Sequence, residues 1–113
     1  MLDINKVTQE ISNCLSSMDN DGLTKGQISK VKNRINFLKI VIRYLESGPS
    51  TEFLKKEISR LTNRIQLIND QFADYLPTQY FEKEKDKLKH YLKECGVPKL
   101  KIQLKALRFI YNS

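Results

Sequence analysis

The stretch from Val31 to Tyr75 reads VKNRINFLKIVIRYLESGPSTEFLKKEISRLTNRIQLINDQFADY, and it carries two apolar runs back to back. The first run is Val31, Ile35, Leu38, Ile42 and Leu45; the second is Leu54, Ile58, Leu61, Ile65, Ile68, Phe72 and Tyr75. Both alternate steps of four and three residues, the coiled-coil-like spacing that holds one helix face against another. Ser47-Gly48-Pro49-Ser50 separates them. Glycine accepts a left-handed helix cap, proline cannot continue a helix, and serine starts the next one. A connection this short predicts a long antiparallel helical hairpin, with helices over about 25–46 and 51–76. It places Leu45 near Leu54, Ile42 near Ile58, Leu38 near Leu61 and Ile35 near Ile65.

Outward from the hairpin the signals remain helical. Ile4, Val7, Ile11, Cys14 or Leu15, and Met18 mark one face of a first helix that Asp3 can cap. Asp19-Asn20-Asp21-Gly22 reads as a turn, because its glycine comes too early for an EF-hand calcium loop. The second helix has a further apolar set, Phe37, Ile40, Val41 and Tyr44, on the side away from its main seam. A helix apolar around most of its circumference is buried on more than one side, so it is expected to be central. The third helix covers one face; helix 1, helix 4 or a second subunit covers the other.

Pro77 ends helix 3, and Thr78 is expected to cap a fourth helix carrying Tyr80, Phe81, Leu88, Tyr91, Leu92 and Cys95. The run Glu82-Lys83-Glu84-Lys85-Asp86-Lys87 reads as a solvated face laced with charge pairs. In the tail, Leu100, Ile102 and Leu104 alternate like a strand, whereas Leu100, Leu104, Leu107 and Tyr111 keep helical spacing. No partner strand exists elsewhere, and a lone strand is unstable, so a helix is expected. The fold class is all-α: a small bundle of four to five helices built on the hairpin. The 113 residues form one domain, with a three-helix core over 1–76 and a basic helical pair over 78–113.

The formal charge is +7, unevenly placed. Residues 24–47 hold six basic residues against Glu46, and residues 78–113 hold nine against four acids. Two basic segments thus flank a balanced one, which favours polyanions or acidic partners. Two isolated cysteines, Cys14 and Cys95, are expected as free, mostly buried thiols. Residues 1–6 lack the apolar core of a signal peptide, and the stretch from Ile35 to Leu45 is broken by Lys39 and Arg43. A cytoplasmic protein without membrane contact is the expectation.

Catalytic chemistry finds no foothold. The single histidine, His90, and Cys95 are five residues apart and do not share a helix face. The four scattered glycines form neither a P-loop nor a dinucleotide fingerprint, so no cofactor, metal or small-molecule substrate is expected. The last third does suggest binding. Cys95-Gly96-Val97-Pro98 between two helices resembles the turn of a helix-turn-helix unit, with Gly96, Val97 and Ile102 at its turn-glycine and core positions. Leu92 and Lys105 depart from that pattern, which wants a small and an apolar residue there. The resemblance implies that Lys99, Lys101, Gln103 and Lys105 face nucleic acid. Lys25, Lys30, Lys32 and Arg34 form a second basic surface at the start of helix 2. The expectation is a non-enzymatic nucleic-acid-binding protein. The alternative is an adaptor or inhibitor binding an acidic protein, or a homodimer, through Phe37, Ile40, Val41 and Tyr44.

Overall fold

The computed structural model describes residues 2–19 and 22–113. Among them lie five α-helices and no strand, an all-α bundle as expected: α1 (Ile4–Met18), α2 (Lys25–Glu46), α3 (Thr51–Asp70), α4 (Glu84–Glu94) and α5 (Val97–Tyr111). A single 3-10 turn, Gln71–Asp74, extends α3. The expected turn over residues 19–22 falls partly on Asn20 and Asp21, which lie outside the described residues.

Local chemistry sets the helix ends. The Asp3 side chain accepts from the Asn5 N–H at the start of α1. Thr24 and Gln27 form a reciprocal capping box that starts α2. Gly48, at φ +62°, turns the chain after α2, and Ser50 accepts from Phe53 N–H to start α3. Gly96, at φ +74°, separates α4 from α5 with no intervening loop, and Pro98 sits in the first turn of α5.

The molecule is a plate. It measures 46 × 43 × 17 Å, and its radius of gyration of 17.5 Å exceeds the roughly 13 Å of a compact domain this long. With helices packing about 8–10 Å apart, 17 Å leaves room for at most two layers.

The packing explains the shape. α2 is covered on two sides, as its apolar circumference requires, but by α1 and α5. α3 also packs against α5, and the α2–α3 pair is not among the closely packed helix pairs. The expected ladder from Leu45–Leu54 to Ile35–Ile65 is therefore replaced by a wedge. The two long helices share a core with Leu38, Val41, Leu45, Leu54 and Leu61, and α5 inserts Leu104, Ala106, Leu107 and Ile110 into it. Ala106 and Leu107 are fully buried. The core thus draws on residues from both sides of positions 76–78, with α5 wedged between α2 and α3.

A smaller cluster secures α4. Ile68, Tyr91 and Val97 are buried with Phe72, Tyr75 and Leu88 around them. The Tyr91 hydroxyl donates to the Ile68 carbonyl, and its ring lies 4.8 Å from Tyr75 and 5.3 Å from Phe72. α4 starts at Glu84 rather than after Thr78. The Phe81 ring instead lies 5.1 Å from His90. On one continuous helix those residues would stand about 13 Å apart along the axis, so this contact requires the chain to fold back. Both cysteines are free; Cys14 is half-buried, and Cys95 is exposed rather than buried.

Candidate polyanion-binding face

The sequence places an unusual amount of like charge on two neighbouring helices. α2 carries Lys25, Lys30, Lys32, Arg34, Lys39 and Arg43 against Glu46 alone. α5 carries Lys99, Lys101, Lys105 and Arg108 and no acid. α2 and α5 pack together, so the two cationic surfaces merge.

A cleft runs along their junction. One part, of about 380 Å³, is lined by Ile40, Arg43, Tyr44, Lys99, Ile102 and Gln103. The adjoining part is lined by Asn33, Asn36, Phe37, Ile40, Ile102 and Lys105. A further hollow carries the surface along α2 through Lys25, Ser29 and Lys32. The floor is aliphatic, with Ile102 44% exposed; the rim is cationic and amide-bearing. Among the described residues, none of Lys25, Lys32, Lys39, Arg43, Lys99, Lys101, Lys105 and Arg108 forms an ion pair.

The expected nucleic-acid residues sort unequally. Lys25 and Lys32 line the same hollow, whereas Lys30 lies about 200° round the helix from Lys32 at ~100° per residue, off that stripe. Arg34 is occupied. Its guanidinium pairs with Glu10 of α1 at 2.8 Å and lies 5.2 Å from the Phe37 ring and 5.7 Å from the Phe109 ring. On α5 the steps of two among Lys99, Lys101, Gln103 and Lys105 spread the four around the helix. Lys101 and Lys105 lie on its outward strip; Lys99 and half-buried Gln103 lie on the α2 flank. The third member of the strip is Arg108, beside Lys101 and Lys105 in a hollow closed by Ile65 of α3; Arg108 also lines a second hollow with Lys55 and Ser59 of α3. Arg108, Arg43 and Lys39 were missed. Arg108 keeps helical spacing with Lys101 and Lys105 (i, i+4, i+7) but lies beyond the helix start, where base-reading residues sit.

The expected partner patch is closed from within. Val41 is 0% and Phe37 6% exposed. The cover is α5: Phe109 meets Phe37 edge-on at 5.5 Å and 73°, and the Lys105 ammonium lies 4.9 Å from the Phe37 ring. Ile40 and Tyr44 remain half-buried at the cleft. Burial, and next the Glu57 carboxylate, push the Tyr44 hydroxyl above its ordinary value, so it is neutral at physiological pH.

α4 holds a separate polar contact: His90 Nε2 lies 2.9 Å from Glu94, which also accepts from the Tyr75 hydroxyl at 3.1 Å. Among the described residues no group of three or more His, Cys, Asp and Glu is arranged to hold a metal, and no helix is long and apolar enough to cross a membrane.

The fold and face define a small all-α plate with one strongly cationic surface. Comparison with protein families, with curated proteins and with solved structures finds no match.

Proposed function

We propose that the chain is a non-enzymatic nucleic-acid-binding protein whose α2/α5 face is the contact surface. One observation carries the reading: two adjacent helices present nine Lys and Arg side chains outside any described ion pair, with Glu46 as their only acid. Elsewhere the helices intersperse their cations with acids, and some of these pair, as in Glu52–Lys56 and Glu57–Arg60 on α3. Unmatched like charge on a folded surface repels itself, and a polyanion relieves that repulsion by releasing its own counterions.

The test pairs two charge-reversed variants. Lys101→Glu/Lys105→Glu/Arg108→Glu alters the face; Lys56→Glu/Arg60→Glu/Arg64→Glu changes charge equally on α3. A low-salt shift assay on mixed DNA and RNA is expected to lose binding by about 100-fold or more in the first and little in the second. Equal losses would reduce the effect to net charge, and absent binding in the unaltered protein would end the reading.

The alternative, an adaptor or homodimer, keeps one specific support. Leu76 and Tyr80 are 90% and 88% exposed in the segment between α3 and α4. Apolar side chains held so far out are suited to insertion into a partner. Light scattering across concentrations tests self-association: a monomer at every concentration removes the homodimer.

A further inference from the structure

We infer that the cleft between α2 and α5 is a small-molecule site for an amphipathic organic anion, a carboxylate or phosphate head on a short apolar body. The inference stands on the shape and chemistry of the cleft, apart from the nucleic-acid reading above.

The floor is apolar. The two parts of the cleft share Ile40 of α2 and Ile102 of α5, so this aliphatic pair lies where they join. Ile102 is 44% exposed, whereas Leu104, Ala106 and Leu107 on the same helix are buried. The half-buried Tyr44 adds its ring to the wall of the first part. Apolar surface in a concave site gains when a ligand takes it out of water. Phosphate oxygens lying on the cationic rim alone would leave that surface wet.

The polar groups are placed unequally about this floor. One part adds Arg43, Lys99 and Gln103, and the other adds Asn33, Asn36 and Lys105. Lys105 is engaged, with its ammonium 4.9 Å from the Phe37 ring. Arg43 and Lys99 are exposed and, among the described residues, form no ion pair. No carboxylate lines either part. The Arg43 end therefore suits a charged head. A guanidinium offers paired N–H donors that match carboxylate and phosphate alike, and Lys99 adds a point charge. The apolar body then lies over Ile40 and Ile102.

The size suits a small ligand. The part holding Arg43 and Lys99 has a volume of about 380 Å³. That falls within the roughly 300–1,000 Å³ of small-molecule sites. At ~30 Å³ per water it equals about a dozen waters, which sets the ligand at about ten to fifteen non-hydrogen atoms.

The test is isothermal titration calorimetry of the whole chain at about 50 mM salt. Octanoate and octyl phosphate carry both head and body, acetate and inorganic phosphate the head alone, and octanol the body alone. Octanoate or octyl phosphate is expected to bind at a single saturable site, at least about tenfold tighter than the other three. The tighter of the two identifies the head. Arg43→Gln and Ile102→Ser are each expected to weaken that binding by about fivefold or more, and Lys56→Gln on α3 to leave it unchanged. All three side chains are exposed, and an unchanged thermal melt verifies that each variant folds. No saturable binding of either amphiphile overturns the inference. Octanol binding as tightly removes the anionic head, and acetate or inorganic phosphate binding as tightly removes the apolar body; either result overturns it. Unchanged affinity in Arg43→Gln or Ile102→Ser also overturns it. Each of these failures leaves the nucleic-acid reading standing, because that reading is tested by the shift assay on the charge-reversed face.

Discussion

The two helices that flank α5 handle charge in opposite ways. α3 carries Lys55, Lys56, Arg60 and Arg64 against Glu52, Glu57 and Asp70, and two of its cations pair within the helix. α2 carries six cations against one acid, and its one described ion pair reaches to Glu10 of α1. Both are long, amphipathic and packed on the same wedge. Fold stability therefore does not require the α2 charge pattern, since α3 performs the same structural task nearly neutral. The excess on α2, continued by α5, is the part of the molecule that architecture leaves unexplained.

The comparison is broken first by attacking what the two helices share. Leu107 is fully buried between them, so Leu107→Asp places an unpaired charge in the core. A loss on the order of 4–5 kcal/mol is expected, enough to abolish the cooperative melt followed by circular dichroism. The same change at half-exposed Leu67 on α3 is expected to stay within about 0.5 kcal/mol. Retained folding of Leu107→Asp would mean that α5 is a removable lid.

Next in size is the aromatic junction of α2 with α5. Phe37→Ala removes a buried ring together with its edge-on contact to Phe109, costing about 3–5 kcal/mol in denaturant unfolding. Phe53→Ala on exposed α3 surface is expected to cost less than about 1 kcal/mol. Arg34→Ala follows at about 1 kcal/mol or less, because the Glu10 pair is well exposed to solvent. It is expected to leave DNA affinity nearly unchanged, whereas Lys105→Ala is expected to lower it.

The smallest effect is alkaline. Burial pushes the Tyr91 hydroxyl above its ordinary value of 10.0, with the nearby Cys95 adding to the shift. Its neutral form is favoured by the fold, so the contribution is complete below about pH 10 and is lost as pH rises through the raised value. Tyr91→Phe removes that part of the alkaline loss. It also leaves the Ile68 carbonyl without its donor, for about 1 kcal/mol at neutral pH. A melting temperature that falls equally above pH 10 in both proteins would contradict this role.

Much of this architecture is local chemistry and was legible. Thr24, Ser50, Gly48 and Gly96 mark helix ends wherever the chain goes, and the apolar circumference of α2 signals burial on two sides. What covers α2 was not legible. Leu104, Leu107 and Ile110 bury against residues some fifty positions away, and the period of a helix states that it has a partner without naming it. The start of α4 was misplaced for a related reason: Phe81 folds back onto His90, a contact invisible to pattern. Of the candidate face, the charges were legible and their grouping was not. Lys101 and Lys105 were found, Arg108 was missed, and Arg34 was counted although Glu10 occupies it.

The central claim is that contact with nucleic acid is confined to α2 and α5. Residue-resolved NMR of the whole chain, titrated with duplex DNA at low salt, tests it directly. Saturable shifts are expected at Lys25, Lys32, Lys39, Arg43, Lys99, Lys101, Lys105 and Arg108, with Lys56, Arg60 and Arg64 unmoved. Shifts centred on the outer side of α3, or none at saturating duplex, would contradict it.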